Sequence, residues 1–199
     1  MDKISAFPDK PIPEGAGVVS EQFLRLGIKR FVDACQYVHK LPYGYNSDSD
    51  DLMILFKEKK GTCTTKHAVI AALAEELSLP ITKTIGIYPM TEELVSGTNP
   101  ILDKYRLPYV PMLHCFLQGD HYRVDLTEGN RNGKNRSIED FLYTEKVRAG
   151  ITKREEYLLY RRVLKEVILG RDEMKGVDLK TVLRAREEGL NVLKSNLTP

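Results

Sequence analysis

The stretch KEKKGTCTTKHAVIAALAEE, residues 57–76, constrains this chain most. A charged stretch ends at Gly61, and from Thr62 or Cys63 to Leu79 the pattern predicts an amphipathic helix that stops before Pro80. Cys63 falls in its first turn. The N-terminal end of a helix carries about half a positive elementary charge and unpaired N–H groups, so it favours thiolate over thiol. A cysteine there reads as a candidate nucleophile. Cys35, on an apolar helical stripe, reads as a small core residue.

Composition narrows the partners. The 199 residues carry 42% hydrophobic and 29% charged side chains, ordinary values for a globular chain with a substantial core. Net charge is +2, from 30 basic and 28 acidic residues spread along the chain, which points to neither a nucleic-acid nor a membrane partner. No apolar run approaches the length of a membrane span. The first residues, MDKISAFPDKPIPEGAG, lack the apolar stretch of a secretory leader. Cys35, Cys63 and Cys115 have no disulfide-like spacing, so the expectation is a cytoplasmic protein with reduced thiols.

Residues 1–18, punctuated by prolines and glycines, predict an extended arm. Leu24, Ile28, Phe31, Cys35 and Val38 then mark one buried face of a helix from Ser20 to His39. LPYGYNSDSDD predicts a loop, and Asp51 to Phe56 a short helix. ITKTIGIY (81–88) predicts a strand. Residues 89–110 predict a long connection, expected to border a substrate cleft. Ser137 and Thr152 each predict a later helix start, Thr152 with Glu155 as a capping box. Within the charge run KREEYLLYRRVLKEV, Tyr157, Leu158, Val163 and Leu164 predict the apolar side of a helix with one solvated face.

HCFLQGDHYRVD (114–125) predicts a hairpin. A two-residue turn at Gly119-Asp120 sets Gln118 opposite His121 and His114 opposite Asp125. A three-residue turn sets Val124 opposite His114 instead, and a turn at Gln118-Gly119 sets Arg123 there. His121, beside the turn, reads as solvated, and Cys115 alternates away from His114 into the core. In the first register, thiol, imidazole and carboxylate form a Cys63–His114–Asp125 set: His114 accepts the thiol proton, Asp125 fixes the imidazole tautomer, and sulfur attacks a carbonyl carbon.

The order Cys, His, Asp, carried by GTCTTKHAVIAALAEELSLP, LHCFL and YRVDLTEG, resembles the transglutaminase-like superfamily of papain-like thiol enzymes over about residues 41–130. Gly61, two residues before the cysteine, His114-Cys115-Phe116-Leu117 and Val124-Asp125-Leu126-Thr127 match that family's pattern. The resemblance implies an α+β fold: a nucleophile helix packed on a small antiparallel sheet, with extra N- and C-terminal helices. One domain would span 1–199, with the arm at 1–18, the triad core at 19–130 and a helical extension at 131–199. The implied substrate is a peptide, protein or small molecule with an amide or ester carbonyl. Water would complete a hydrolysis and an amine a transfer, and both endings stay open.

The chain departs from the family in having no tryptophan, a short segment between His114 and Asp125, and no glutamine just before Cys63. The Cys63 N–H remains as an oxyanion donor, with Tyr43 or Asn46 as a second; Asn46 also reads as a turn former. His67, one turn after Cys63, reads as a supporting or packing residue. Two other readings stand beside the enzyme: a binding protein that keeps the fold without catalysis, and a zinc-binding structural protein using Cys63, His67, His114 and Cys115. The alternation of His114 and Cys115 argues against the latter, and the expectation is no metal. Neither G-x-x-x-x-G-K-[ST] nor G-x-G-x-x-G occurs, so no cofactor is expected.

Overall fold

A computed structural model describes residues 3–197 and shows an α+β chain. Among the described residues seven α-helices accompany a four-stranded antiparallel sheet in the order β3-β2-β1-β4. The helices are α1 (Val18–Arg25), α2 (Phe31–Lys40), α3 (Ile54–Glu58), α4 (Cys63–Glu76), α5 (Asn99–Tyr105), α6 (Lys153–Val163) and α7 (Leu179–Ser195). The strands are β1 (Thr82–Met90), β2 (Val110–Gln118), β3 (Arg123–Val124) and β4 (Tyr143–Val147). The chain divides into two compact units: Met1–Ile85 with Cys115–Asn130 and Lys146–Thr152, and Gly86–His114 with Arg131–Glu145 and Lys153–Pro199.

In the first unit α1, α2 and α3 all pack on α4. The helix expected over Ser20–His39 is two helices. Gly27, at φ 76, adopts the left-handed conformation that ends α1, and Arg30 is extended before α2 begins. Phe23 at the end of α1 and Phe31 at the start of α2 both remain fully buried, so one apolar stripe serves two axes. α2 carries Asp33 in its first turn and His39 and Lys40 in its last, matching the helix dipole, and it ends at Leu41, forced extended by the following proline. Glu76, at the end of α4, caps α1 by accepting from the N–H groups of Val19 and Ser20 at 2.9 and 2.7 Å.

The arm is less separate than its prolines imply. Residues Lys3–Ala6 form a 3-10 turn, Pro11 pairs with Arg30, and Ile4, Phe7 and Ile12 are buried in the same core as Phe23 and Phe31. The core also takes in α4, which is buried almost all round: eleven of its fourteen residues, from Cys63 to Ala74, are buried. The amphipathic reading of α4 is therefore corrected to that of a central helix.

The hairpin register also differs from every one considered. Leu117 pairs with Val124 and Gln118 with Arg123, so the loop contains four residues, Gly119–Tyr122. Gly119 N–H donates to the Tyr122 carbonyl at 3.0 Å, the Gln118 side chain donates to the carbonyls of Gly119 and Tyr122, and the Tyr122 ring packs edge-on against Phe7 at 5.4 Å. Anchoring Tyr122 to the core draws two more residues into the turn. His114 and Asp125 are thus not directly opposed by register, and Asp125 follows the last residue of β3. The slip is by two residues, so the paired residues of β2 and β3 keep their relative faces. His121 is exposed as expected.

In the second unit α5 packs on α7, tied by Lys104 to Glu188 at 2.6 Å. The connection after β1 therefore holds a helix where turns were expected, with Pro100 in the first turn, where its missing N–H costs nothing. No helix starts at Ser137; β4 follows instead. Tyr160 of α6 is buried and donates to the Pro111 carbonyl at 2.8 Å. The apolar face of α6 is Leu159, Tyr160 and Val163, whereas Tyr157 and Leu158 are 40% and 54% exposed. Among the described residues no helix is long and apolar enough to cross a membrane.

Candidate active site

Cys63 is the first residue of α4 and is 8% exposed. Thr62 before it is extended, and its side chain makes no capping hydrogen bond. The approach to the helix is fixed by a short parallel pairing of Tyr43 with Gly61. Gly61 N–H donates to the Pro42 carbonyl at 3.1 Å, and Gly44 N–H donates to the Gly61 carbonyl at 3.3 Å. A Cβ on Gly61 would fall 2.5 Å from both Leu55 Cδ1 and Thr65 Oγ1. Glycine two residues before the cysteine is thus a steric requirement of the first turn.

Tyr43 and Asn46 flank this approach. Thr65 Oγ1 donates to Asn46 Oδ1 at 2.8 Å, while Asn46 Nδ2 donates to Glu58 Oε2 at 2.9 Å and to the Lys60 carbonyl at 3.0 Å. Both amide hydrogens are committed to the loop, which gives Asn46 a scaffolding role. Tyr43 is half-buried at the pairing itself, and Tyr45 beside it is exposed.

His67 is fully buried, and its hydrogen bonds define its tautomer. Nδ1 lies 2.7 Å from the Cys63 carbonyl, which can only accept, so Nδ1 carries the proton. Nε2 accepts the Leu126 N–H at 2.8 Å and stands 3.4 Å from Asp125 Oδ1. His67 therefore joins the first turn of α4 to the segment that follows β3. In that segment Asp125 Oδ1 accepts from both the N–H and the hydroxyl of Thr127, at 2.8 and 2.7 Å, which fixes the carboxylate in a tight turn.

Two further side chains close on the same turn. His39 Nδ1 is 3.0 Å from the Leu126 carbonyl. Lys66, fully buried in α4, donates through Nζ to the carbonyls of His39 and Leu41 at 3.2 and 2.5 Å and to Asn130 Oδ1 at 2.5 Å. Asn130 Nδ2 in turn donates to the His39 carbonyl at 2.9 Å. Burial pushes the Lys66 ammonium down to about 8, and the negative charge of Asp125 offsets part of that fall. Sequence reading passed over His39, Lys66 and Asn130. The signal for Lys66 was its place in a helix that is apolar on every side.

Cys35, Cys63 and Cys115 are free thiols. Cys35 is sealed in the core, and burial raises its thiol well above the ordinary value. Cys115 is buried as expected, but its Sγ lies 3.8 Å from Thr64 Oγ1, so it faces the first turn of α4 rather than the core behind the site. His114, one residue earlier on β2, is 2% exposed and meets the Tyr88 ring edge-on at 6.3 Å. Among the described residues no three or more His, Cys, Asp or Glu side chains are grouped to hold a metal ion. Comparison with protein-family models, curated proteins and solved structures finds no match to this chain.

Proposed function

We propose that the chain is a cysteine-nucleophile enzyme of transglutaminase-like type, acting on the carbonyl carbon of an amide or ester. The observation that carries this reading is that Asp125, held in its turn, lies beside the first turn of the helix that Cys63 begins, through His67 at 3.4 Å. Cys63 at the positive end of α4 suits a thiolate. The Cys–His–Asp order of the chain supplies His114 as the base that pairs with this thiol and this acid.

In the proposed reaction His114 takes the thiol proton and the Cys63 sulfur bonds to the carbonyl carbon. The carbon–nitrogen or carbon–oxygen bond then breaks, the imidazolium gives its proton to the leaving amine or alcohol, and a thioester remains. Attack by water regenerates the thiol with release of an acid; attack by an amine gives a new amide. Asp125 orients the imidazole and stays ionised. The Cys63 N–H, with Tyr43 beside it, is the proposed oxyanion donor.

The test is a panel of amide, ester and amine-acceptor substrates read by intact mass. A covalent adduct on Cys63 is expected, lost in Cys63→Ala and His114→Ala. Turnover retained in Cys63→Ala would overturn the reading. Ligand binding without any turnover would favour a non-catalytic binding protein.

A further inference from the structure

A buried ammonium is expensive to maintain, and a packed helix can be anchored by neutral groups at lower cost. Lys66 is such an ammonium, and its three hydrogen bonds link the end of α2 to the turn that holds Asp125. Two of its acceptors are carbonyls at the C-terminal end of α2, the negative end of that helix dipole, and the third is the side chain of Asn130. The turn is internally bonded as well: Glu128 N–H donates to the Asp125 carbonyl at 3.2 Å and Asn130 N–H to the Thr127 carbonyl at 3.2 Å. Pulling on Asn130 therefore moves the backbone that carries Asp125. The titratable residues shown at the ammonium are His39 of α2, whose carbonyl it bonds, and Asp125 of the turn, whose charge acts on it. His67, a neutral tautomer by its partners, adds no positive charge.

We propose that Lys66 is a positioning residue for Asp125, pinning the 125–130 turn through Asn130 and holding a positive charge beside the carboxylate. The proposal rests on the triad reading, in which Asp125 stabilises the imidazolium that accompanies the Cys63 thiolate. Lys66 then acts on sulfur reactivity only through Asp125. Its bond to Asn130 joins the turn to the end of α2, where its other two acceptors lie.

The test follows Cys63 alkylation by iodoacetamide against pH in the full chain, comparing wild type, Lys66→Met, Asn130→Ala, Asp125→Asn and the Lys66→Met/Asp125→Asn double variant. Circular dichroism first establishes that each is folded. If Lys66→Met does not fold, Asn130→Ala, which keeps the lysine, and its double variant with Asp125→Asn carry the same comparison. The midpoint is expected to rise by roughly one pH unit in Lys66→Met and in Asp125→Asn, a loss of about tenfold in thiolate at fixed pH below the midpoint. Asn130→Ala should shift the same way, and the double variant no further than Asp125→Asn. A moved midpoint in Asp125→Asn with an unmoved one in a folded Lys66 or Asn130 variant overturns the proposal alone. So does a Lys66→Met shift repeated in full on the Asp125→Asn background, which would mean a direct effect on sulfur. An unmoved midpoint in Asp125→Asn contradicts the triad reading and removes the proposal with it.

Discussion

His67 Nε2 stands 3.4 Å from Asp125 Oδ1 and accepts the N–H of Leu126, while Nδ1 donates to the Cys63 carbonyl. One imidazole thus ties the backbone of the candidate nucleophile to the residue after the candidate acid. It does so as a neutral Nδ1–H tautomer. His67→Ala removes two buried hydrogen bonds and opens a cavity, so an unfolding free energy lower by about 2–4 kcal/mol is expected in urea titration. Nitrogen NMR of the wild-type ring should show the Nδ1–H tautomer. A protonated Nε2 would contradict the hydrogen-bond assignment.

Gly61→Ala tests the approach to α4. The added methyl meets Leu55 and Thr65 at 2.5 Å, and Thr65 is the residue that Asn46 holds. A loss of about 1–3 kcal/mol is expected in urea titration, from overpacking at the helix start. Wild-type stability in this variant would mean that the close fit at Gly61 is not required.

Lys66 sets a pH dependence whose sign follows from its depressed value. The unfolded lysine keeps its proton up to about 10.4, while the buried one releases it near 8. Between those limits the unfolded state binds more protons, so the lysine makes stability rise with pH. Below about 8 the buried charge is present in both states and its full cost is felt. The unfolding free energy of wild type minus that of Lys66→Met should climb between pH 8 and 10, with a slope of at most about 1.4 kcal/mol per unit. A difference that falls over this range would contradict the buried ammonium.

Much of this was readable in the residues, and the misses have particular causes. Cys63 at the start of a helix, β1, the burial of Cys35 and Cys115 and the exposure of His121 all follow from local pattern. The register did not, because a two-residue slip keeps the relative faces of the paired strand residues, and the longer loop is held by Tyr122 packing on Phe7 and by Gln118 bonding the carbonyls of Gly119 and Tyr122. Gly27 lies inside an otherwise continuous apolar stripe, and Pro100 opens α5 within a stretch of weak periodicity. β4 has the burial of an edge strand, half-buried and exposed residues in alternation, so its sequence gives little hydrophobic signal. The clamp of His39, Lys66 and Asn130 joins three distant stretches of sequence, and pairings of that kind have no local signature.

The central claim is that Cys63 is an activated thiol, and the most direct measurement is its alkylation by iodoacetamide as a function of pH, with His114→Ala alongside. The account predicts labelling of Cys63 ahead of the buried Cys35 and Cys115, with a midpoint clearly below the ordinary thiol value of about 8.5 that moves up in His114→Ala. A Cys63 midpoint at or above that value, unchanged by His114→Ala, would contradict it.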